Sequence, residues 1–383
     1  MKIVRVSATP LNVPLHINVL GLDRKTSLGV CHVEVETDQG LVGHGLTSIT
    51  EEDVIAHIVN NVAGPNIIGD DPLSHERVWD KLYWLMMPRG QTGYAAHALA
   101  AIDLALWDLK GKALGQPVWK LIGGARATVP VYATFGFGFF DREQLAAAAK
   151  EWVRQGFRRL KMTVGNEALR HKDTRPLMEV IREDAARVRA VRDAVGPDIE
   201  LFIDANCNLD LYHAAKLVEM IKDCRIAFFE EPITQNDVLA MRQLRAQTGM
   251  ALACGQNEGL AFRFRDLLLN EAIDYAQPNV AITGGFTQCI KIAGLAASFN
   301  VSIANGGAWS YHNMHLQAGV ANGTLVEHHY LAVELYKSLY RGLPMPKDGM
   351  LTLPETPGLG FEPDRDAIRE IAKLPPSQGR AKG

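Results

Sequence analysis

The part of the chain after Gly124 alternates short apolar segments with longer helical ones, and this alternation constrains the fold most. Eight apolar segments are short enough to be strands, and stretches with helical periodicity separate them. The predicted strands are 129–133, 159–163, 201–205, 227–230, 251–255, 275–277, 301–304 and 324–327, with helices such as 142–155, 176–195, 212–222, 238–247, 286–298 and 312–320. Eight such alternations over about 210 residues fit a parallel (β/α)8-type, TIM-like barrel better than a doubly wound sheet.

The residues before this region predict a separate module. Residues 1–62 have the pattern of an antiparallel meander, with strands at 30–36 and 41–46 around a polar turn. Residues 95–113 are rich in Ala and Leu and stop before Gly115 and Pro117, as a helix does. We therefore predict an α/β protein with an α+β N-terminal capping domain (1–125) and a barrel (126–340). The proline-rich segment 341–383 should form loops rather than a regular helix and pack back on the capping domain.

Composition excludes several classes of function. Forty basic and 43 acidic side chains leave a formal net charge of −3, and no dense basic run predicts binding to nucleic acid. No segment reaches the roughly 18 apolar residues of a membrane helix, and the first residues resemble a strand rather than a signal peptide. The five cysteines are odd in number and contain no Cys-x-x-Cys pair, which argues against disulfides and a thiolate zinc site. We expect a cytoplasmic protein without a membrane partner.

Polar residues follow the predicted strands, where barrel enzymes carry their catalytic side chains. Asp204 and Glu230 end two successive strands, so their carboxylates should meet on one rim. An isolated acid at a strand end more often caps the next helix. Two on neighbouring strands instead favour a site for a hard divalent cation, with Mg²⁺ as the natural occupant.

Several motifs along nearly the whole chain now resemble one family. They are the helix Ala101-Ile102-Asp103-Leu104-Ala105-Leu106-Trp107-Asp108-Leu109-Lys110-Gly111-Lys112, the segment Leu121-Ile122-Gly123-Gly124 before the barrel, and the turn Glu230-Glu231-Pro232. Together they resemble the enolase superfamily, specifically its mandelate racemase-like and muconate lactonizing enzyme-like branch of acid-sugar dehydratases, racemases and cycloisomerases.

The resemblance implies a Mg²⁺ site built from three acids at the ends of strands three, four and five. Asp204 and Glu230 match two of them, but the third position is Gln256, with Glu258 as the alternative. A Gln carbonyl can ligate Mg²⁺, and the site would then hold two carboxylates instead of three. Such a site should bind the metal more weakly and polarise an enediolate more strongly.

The resemblance also implies abstraction of the proton next to a carboxylate by a Lys or His base. The first lysine of the strand-two pair is Lys161, but the second is replaced by Thr163. The His–Asp pair of strands seven and six is missing as well, since Asn279 stands at the Asp position and the strand-seven loop has no His before His312. A retired active site is the alternative, although the retained ionisable groups exceed what packing requires.

The roles are therefore assigned to the residues that remain. We predict Lys161, His312 and Glu327 as catalytic residues, with the pKa of Lys161 lowered by desolvation beside a cation, and with His315 as a second histidine near the loop. Glu327 matches the family acid that hydrogen-bonds the substrate carboxylate. A mobile loop (16–25), with Asn18 and Arg24, and a wall (44–50) should close the mouth. The predicted substrate contacts are Thr163, Asn206, Asn279, Asn305, Trp309 and His44, although Trp309 could equally be core.

The predicted function is Mg²⁺-dependent removal of the proton alpha to a sugar-acid carboxylate, followed by beta-elimination to a 2-keto-3-deoxy acid. One alternative is a cycloisomerase that opens an anhydro-sugar acid such as 3,6-anhydro-galactonate, and another is a noncatalytic sugar-acid binding protein. Racemisation is disfavoured because it needs two matched bases on opposite faces. The partner is a small sugar acid, and the family's habit of forming dimers to octamers predicts a homo-oligomer.

Overall fold

The computed structural model describes residues 1–20, 22–48 and 51–375. The chain begins with an antiparallel sheet of β1 (Ile3–Val19), β2 (Leu22–Thr37) and β3 (Val42–Ser48), in that order. The turn from β2 to β3 contains Gly40 with a φ of +76°, a conformation that glycine adopts without strain. The predicted meander is confirmed.

The segment predicted as a mobile loop forms the end of a β-hairpin instead. His16 pairs with Lys25 and Val19 pairs with Leu22, so β1 and β2 continue in register almost to their connection. The guanidinium of Arg24 lies 5.4 Å from the ring centre of Phe139, near the first barrel strand. The loop prediction is therefore wrong for the described residues, because alternating apolar residues extend the strand pairing through this segment. Gly21, Ile49 and Thr50, which fall in the predicted loop and wall, lie outside the described residues.

One long buried helix packs against this sheet. The helices before the barrel are α1 (Glu52–Ile58), α2 (His75–Met86), α3 (Tyr94–Leu114) and α4 (Val118–Ile122). A Cβ added at Gly43 or Gly45 of β3 would lie 2.1 or 2.2 Å from a backbone oxygen of α3, so only glycine permits this close approach. The predicted helix is confirmed, and α3 ends at Gly115 in the left-handed conformation.

The barrel follows as eight parallel strands with helices between them. Its elements are β4 (Thr128–Gly136), α5 (Arg142–Arg154), β5 (Arg159–Thr163), α6 (Leu177–Val195), β6 (Glu200–Asp204), α7 (Leu211–Met220), β7 (Ile226–Glu230), α8 (Val238–Thr248), β8 (Leu252–Cys254), α9 (Ala261–Leu269), β9 (Tyr275–Ala276), α10 (Gly285–Ser298), β10 (Ser302–Ile303), α11 (Ser310–Gly319), β11 (Val326–His329) and α12 (Tyr330–Leu339). The order is β10-β9-β8-β7-β6-β5-β4-β11. Backbone bonds from Ile303 N to Asn322 O (2.9 Å) and from Asn305 N to Leu325 O (2.8 Å) close the ring. The predicted barrel is confirmed.

The eighth strand lies two residues later than predicted. Residues 326–329 pair with Val131–Thr134 of β4, so the ladder extends toward the mouth past Glu327. Side chains along a strand alternate between two faces, and this shift therefore places His328 and His329 on the strand and on opposite faces.

The C-terminal segment contains regular structure that the prolines did not predict. Short strands β12 (Tyr340–Arg341) and β14 (Glu362–Pro363) pair with each other, and β13 (Met350–Thr352) pairs with β4. Helix α13 (Arg365–Ile371) starts shortly after Pro363, and the Asp364 side chain caps it by accepting from Ala367 N. The prediction of loops alone is wrong here because a capped helix needs only the residues after Pro363.

The two parts of the molecule are joined by a buried carboxylate. Asp103 of α3 accepts hydrogen bonds from the backbone N (2.9 Å) and hydroxyl (2.5 Å) of Thr287 in α10. Burial raises the pKa of Asp103 to about 7. This contact fixes the capping domain against the barrel. No helix in the described ranges is both long and apolar enough to span a membrane.

Candidate active site

A buried lysine lies at the centre of the strand ends. Lys161, at the C-terminal part of β5, is 1% exposed, and its ammonium lies 2.8 Å from Glu230, 2.9 Å from Glu327 and 3.1 Å from Asp204. Glu230 and Asp204 end β7 and β6, and Glu327 lies within β11. Parallel pairing of β11 with β4, of β6 with β5 and of β7 with β6 brings the three acids to one rim. The structure therefore joins four of the predicted residues in one cluster.

The carboxylates of this cluster raise the pKa of the lysine. Burial alone would lower the pKa of Lys161, but Glu230, Glu327 and Asp204 raise it by more, so that the pKa lies well above its ordinary value. The expectation of a lowered pKa refers to a lysine beside a bound cation and stays a prediction, whereas here the ammonium faces three carboxylates.

Glu327 is held in a fixed orientation. One oxygen accepts from the Thr134 hydroxyl at 2.5 Å, and the other accepts from the backbone N of Ala308 at 2.6 Å. Burial would raise the pKa of Glu327, but Lys161 and these hydrogen bonds lower it below the ordinary value. Glu327 is thus an ionised, oriented acceptor.

Glu230 has one oxygen without a partner. Its Oε2 accepts from Lys161 and from Gln277 (2.9 Å), whereas its buried Oε1 has no hydrogen-bond partner. A Cβ built at Gly306 would lie 2.9 Å from this Oε1. An acceptor buried without a donor is unfavourable unless an ion, water or ligand completes it.

A second carboxylate orients Gln256. The amide Nε2 of Gln256 donates to Glu231 Oε2 at 2.9 Å, and Asn257 and Asn236 also donate to Glu231 at 3.0 Å. Because the NH₂ end of Gln256 is bound to Glu231, its carbonyl oxygen points the other way, to within 1.9 Å of where a Cβ at Gly307 would lie. Burial and the nearby Asp204 raise the pKa of Glu231 to about 7.

The alternative ligand Glu258 is used elsewhere. One of its oxygens accepts from Asn236 at 2.8 Å and the other from Arg263 at 2.8 Å. Of the two candidates for the third metal ligand, Gln256 and Glu258, only Gln256 turns an oxygen toward the Gly306–Gly307 turn beside Glu230.

The oxygen ligands at the site suit a hard cation, although the carboxylates alone do not form a complete metal-binding group. Among the residues that the structure describes, no group of three His, Cys, Asp or Glu side chains is arranged to hold a metal ion. The third donor here is an amide oxygen, which Mg²⁺ and Ca²⁺ accept alongside carboxylates. The unpaired Glu230 Oε1 and the oriented Gln256 carbonyl are the observations that fit a bound cation.

Three predicted substrate contacts are occupied by hydrogen bonds within the protein. The Thr163 hydroxyl donates to Gly136 O at 2.9 Å, and the Asn279 amide donates to Gly306 O at 2.7 Å and Gly307 O at 3.0 Å. Asn305 donates to the oxygens of Gly306 and Ala308, both at 3.0 Å. The two asparagines thereby hold the turn over the site. Asn206, in contrast, is exposed at the end of β6, where its backbone N donates to Asp204 at 2.8 Å.

The predicted histidines lie away from the lysine cluster. His312 is fully buried, its Nδ1 lies 2.5 Å from the Tyr336 hydroxyl, and its ring packs against Phe361 of the C-terminal segment. His44 bonds to the backbone oxygen of Phe361 at 2.9 Å, and its ring centre lies 6.5 Å from that of His312. The prediction of His312 as a base and of His44 as a substrate contact is wrong, because both rings pack where the capping domain meets α11 and the C-terminal segment.

The other two aromatic candidates are also packed. His315 is buried and bonds to Leu359 O at 3.0 Å. Trp309 is 1% exposed with its ring edge-on to Tyr336, which supports the core interpretation and leaves no ring face for sugar stacking.

Sequence reasoning missed His329. It shares the inward face of β11 with Glu327, it is partly exposed, and its ring centre lies 5.2 Å from that of Phe137. The period of two along the strand would have found it, had the strand been extended past Glu327.

Comparisons with known proteins match both parts of the chain to one family. The family model described as Enolase C-terminal domain-like matches residues 144–367. The model for the Mandelate racemase / muconate lactonizing enzyme, N-terminal domain, matches residues 1–123. The first match covers the barrel from within α5 onward, and the second covers the capping domain.

Individual relatives are similar over most of their length. L-rhamnonate dehydratase of Saccharopolyspora erythraea is 32% identical, over 87% of this chain and 83% of its own. The 3,6-anhydro-alpha-L-galactonate cycloisomerase of Streptomyces coelicolor is 28% identical, over 89% and 90%. The structure of L-talarate dehydratase from Polaromonas sp. JS666, complexed with Mg and L-glucarate, has a TM-score of 0.83 at 29% identity, covering 96% of both chains. The protein therefore belongs to the mandelate racemase/muconate lactonizing enzyme branch of the enolase superfamily.

Proposed function

We propose that this protein is a Mg²⁺-dependent lyase that removes the proton alpha to a sugar-acid carboxylate and then expels the beta hydroxyl, giving a 2-keto-3-deoxy acid. The observation that carries the proposal is the cluster in which Lys161 bridges Asp204, Glu230 and Glu327. Relatives in the family include dehydratases and a cycloisomerase, which act on sugar acids or anhydro-sugar acids.

The donors for the metal are Asp204, Glu230 and Gln256. A Mg²⁺ ion held by them would supply positive charge for the substrate carboxylate and its enediolate. Glu231 holds Gln256 with the carbonyl facing the site, and the Gly306–Gly307 turn lies directly over this carbonyl and Glu230.

The remaining residues bind and orient the carboxylate end of the substrate. Lys161 Nζ would accept the alpha proton, because a Mg²⁺ held by Asp204 and Glu230 would lower the pKa of the ammonium, and the beta hydroxyl would leave as water with that proton. Glu327 is an acceptor fixed by Thr134 and Ala308 N, in position to hydrogen-bond a protonated oxygen of the enediol. Asn206 is exposed at the same rim and can meet a hydroxyl group.

One observation favours a second candidate, a sugar-acid binding protein without catalysis. Neither Lys161 nor His312, the two residues predicted to accept the proton, is a free base at the site: Lys161 is paired with three carboxylates, and His312 packs away from them. A cycloisomerase is the third candidate, because its first chemical step is the same and only the leaving oxygen differs.

Product analysis separates these candidates. The protein is incubated with Mg²⁺ and L-rhamnonate, galactarate, D-galactonate, arabinonate and 3,6-anhydro-L-galactonate, and products are read by NMR and mass spectrometry. A dehydratase gives a keto acid lighter by one water, whereas a cycloisomerase gives a product of unchanged mass. Turnover must disappear in Glu230→Gln and with chelator. Metal-dependent binding without any product would refute the lyase and support the binding protein.

A further inference from the structure

We propose that His329 is a specificity-determining residue whose Nε2–H donates a hydrogen bond to an oxygen of the ligand beyond its carboxylate end. The proposal rests on the proposed function only in taking the ligand to be a polyhydroxylated acid. It assigns a contact to a residue that the sequence did not single out.

The first argument is the face of the strand. Glu327 points into the barrel, where it contacts Lys161, and His329 is two residues farther along the same strand toward the mouth. His328, on the opposite face, packs against Trp152 and Phe157 and lines a cavity of about 340 Å³ outside the barrel. The neighbouring histidine therefore shows directly which face is outside.

The second argument is the position of the ring relative to the lysine cluster. His329 is partly exposed, whereas Glu327 is 1% exposed, so the imidazole lies nearer the opening. Its electrostatic neighbours are Glu327, Lys161 and Asp204, which all belong to the cluster. A ligand whose carboxylate lies at this cluster would extend past His329 on its way to the mouth.

The third argument concerns which nitrogen carries the hydrogen. Nδ1 of His329 accepts from the backbone N of Ala332 at 3.4 Å and so caps α12. A neutral ring that accepts at Nδ1 carries its hydrogen on Nε2. The Phe137 ring, 5.2 Å away, borders one side of the imidazole. The ring is thus held as a neutral donor, which recognises a hydroxyl or ring oxygen.

A hydrogen-bond donor at His329 favours ligands that have an oxygen within its reach. A site that donates to a substrate oxygen discriminates against an analogue without that oxygen, because the analogue offers the donor no acceptor in the complex. Six-carbon sugar acids have oxygens beyond the alpha carbon, whereas lactate has none. His329 should therefore contribute to the preference for the longer acids.

The test measures affinities of the Mg²⁺-loaded protein for L-rhamnonate, galactarate and lactate by calorimetry. We expect His329→Phe to weaken binding of the six-carbon acid roughly threefold to tenfold and to leave lactate unchanged, as for loss of one hydrogen bond. His329→Gln, which keeps a donor at nearly the same reach, should retain most of the preference. His328→Gln is the matched control on the outer face, and thermal melting verifies that each variant is folded.

The outcomes are distinct. If the folded His329→Phe variant prefers the six-carbon acids as strongly as wild type does, the assignment of His329 is overturned and the proposed function stands. If no acid of the five-member panel named above binds to the wild-type protein, the proposed function fails and the assignment fails with it. Loss of alpha-proton exchange in His329→Gln, restored by added imidazole, would overturn the donor role in favour of a base.

Discussion

Replacing Lys161 with Met tests the charge balance of the cluster. Methionine has a similar length and no charge, so the change leaves three carboxylates with little cavity formation. The ammonium lies 2.8 to 3.1 Å from these groups, and all four side chains are buried. Removing one partner of a buried ion pair typically costs about 3–5 kcal/mol. We expect a loss of this size in the free energy of unfolding at pH 8 with chelator present.

The loss in free energy of unfolding should be smaller at low pH and when Mg²⁺ is present. Without the ammonium the carboxylates repel one another and their pKa values rise, so protonation at pH 5 removes part of the penalty. Mg²⁺ supplies a replacement cation and should stabilise the variant more than wild type.

The assay is urea denaturation followed by tryptophan fluorescence, with reversibility checked by refolding. Lys216→Met is the control, since Lys216 lies 2.8 Å from Glu219 in a solvent-exposed pair that contributes at most about 1 kcal/mol. Equal stability of the two variants would refute the reasoning, because it would mean that Lys161 does not neutralise the carboxylates.

Three further predictions follow from the same geometry. Gln256→Glu places a carboxylate beside Glu231 in place of the 2.9 Å hydrogen bond. Thermal melting in chelator should therefore show destabilisation by about 1–3 kcal/mol, whereas calorimetry should show tighter Mg²⁺ binding. An unchanged melting temperature would contradict the contact between Gln256 and Glu231. Gly307→Ala puts a Cβ 1.9 Å from the Gln256 carbonyl oxygen and should weaken Mg²⁺ binding. The control is Gly40→Ala, which has a similar φ (+76° against +73°) and no atom within 4 Å of the added Cβ, so it should affect stability alone. Equal Mg²⁺ affinity of the two variants would refute the placement of Gln256. Asp103 has a pKa raised to about 7 from 3.8, so its stabilising contribution is lost as pH rises between these values. From pH 4 to pH 8 the free energy of unfolding of Asp103→Asn should therefore rise by on the order of 3 kcal/mol relative to that of the wild type. A difference between the two proteins that stays constant with pH would argue against the buried carboxylate.

The sequence predicted the barrel because each strand is short, apolar and separated from the next by a helical period. The same regularity located Lys161, Asp204, Glu230 and Glu327, since strand ends of a parallel barrel meet at one rim. The ends of elements were less predictable. Extending the eighth strand by two residues revealed His329, which no motif marks.

The histidines show why the rest of the site was not predictable. His312 follows the strand-seven loop closely in sequence, but α11 turns its ring toward Tyr336 and Phe361, residues distant in the chain. The C-terminal segment that supplies Phe361 has no sequence signal for this packing. The choice of Gln256 as the third ligand depends on its hydrogen bond to Glu231. That bond sets the orientation of the amide, and the two residues lie 25 positions apart in the chain.

Exchange of the alpha proton in D₂O tests the central claim most directly. It requires abstraction of the proton but neither elimination nor release of product, so it detects the first chemical step by itself. We predict that NMR will show Mg²⁺-dependent loss of the alpha-proton signal for at least one six-carbon sugar acid, and that Glu230→Gln will abolish it. Binding of the same acid with Mg²⁺ but with no exchange and no product would contradict the account and leave a protein that holds sugar acids without transforming them.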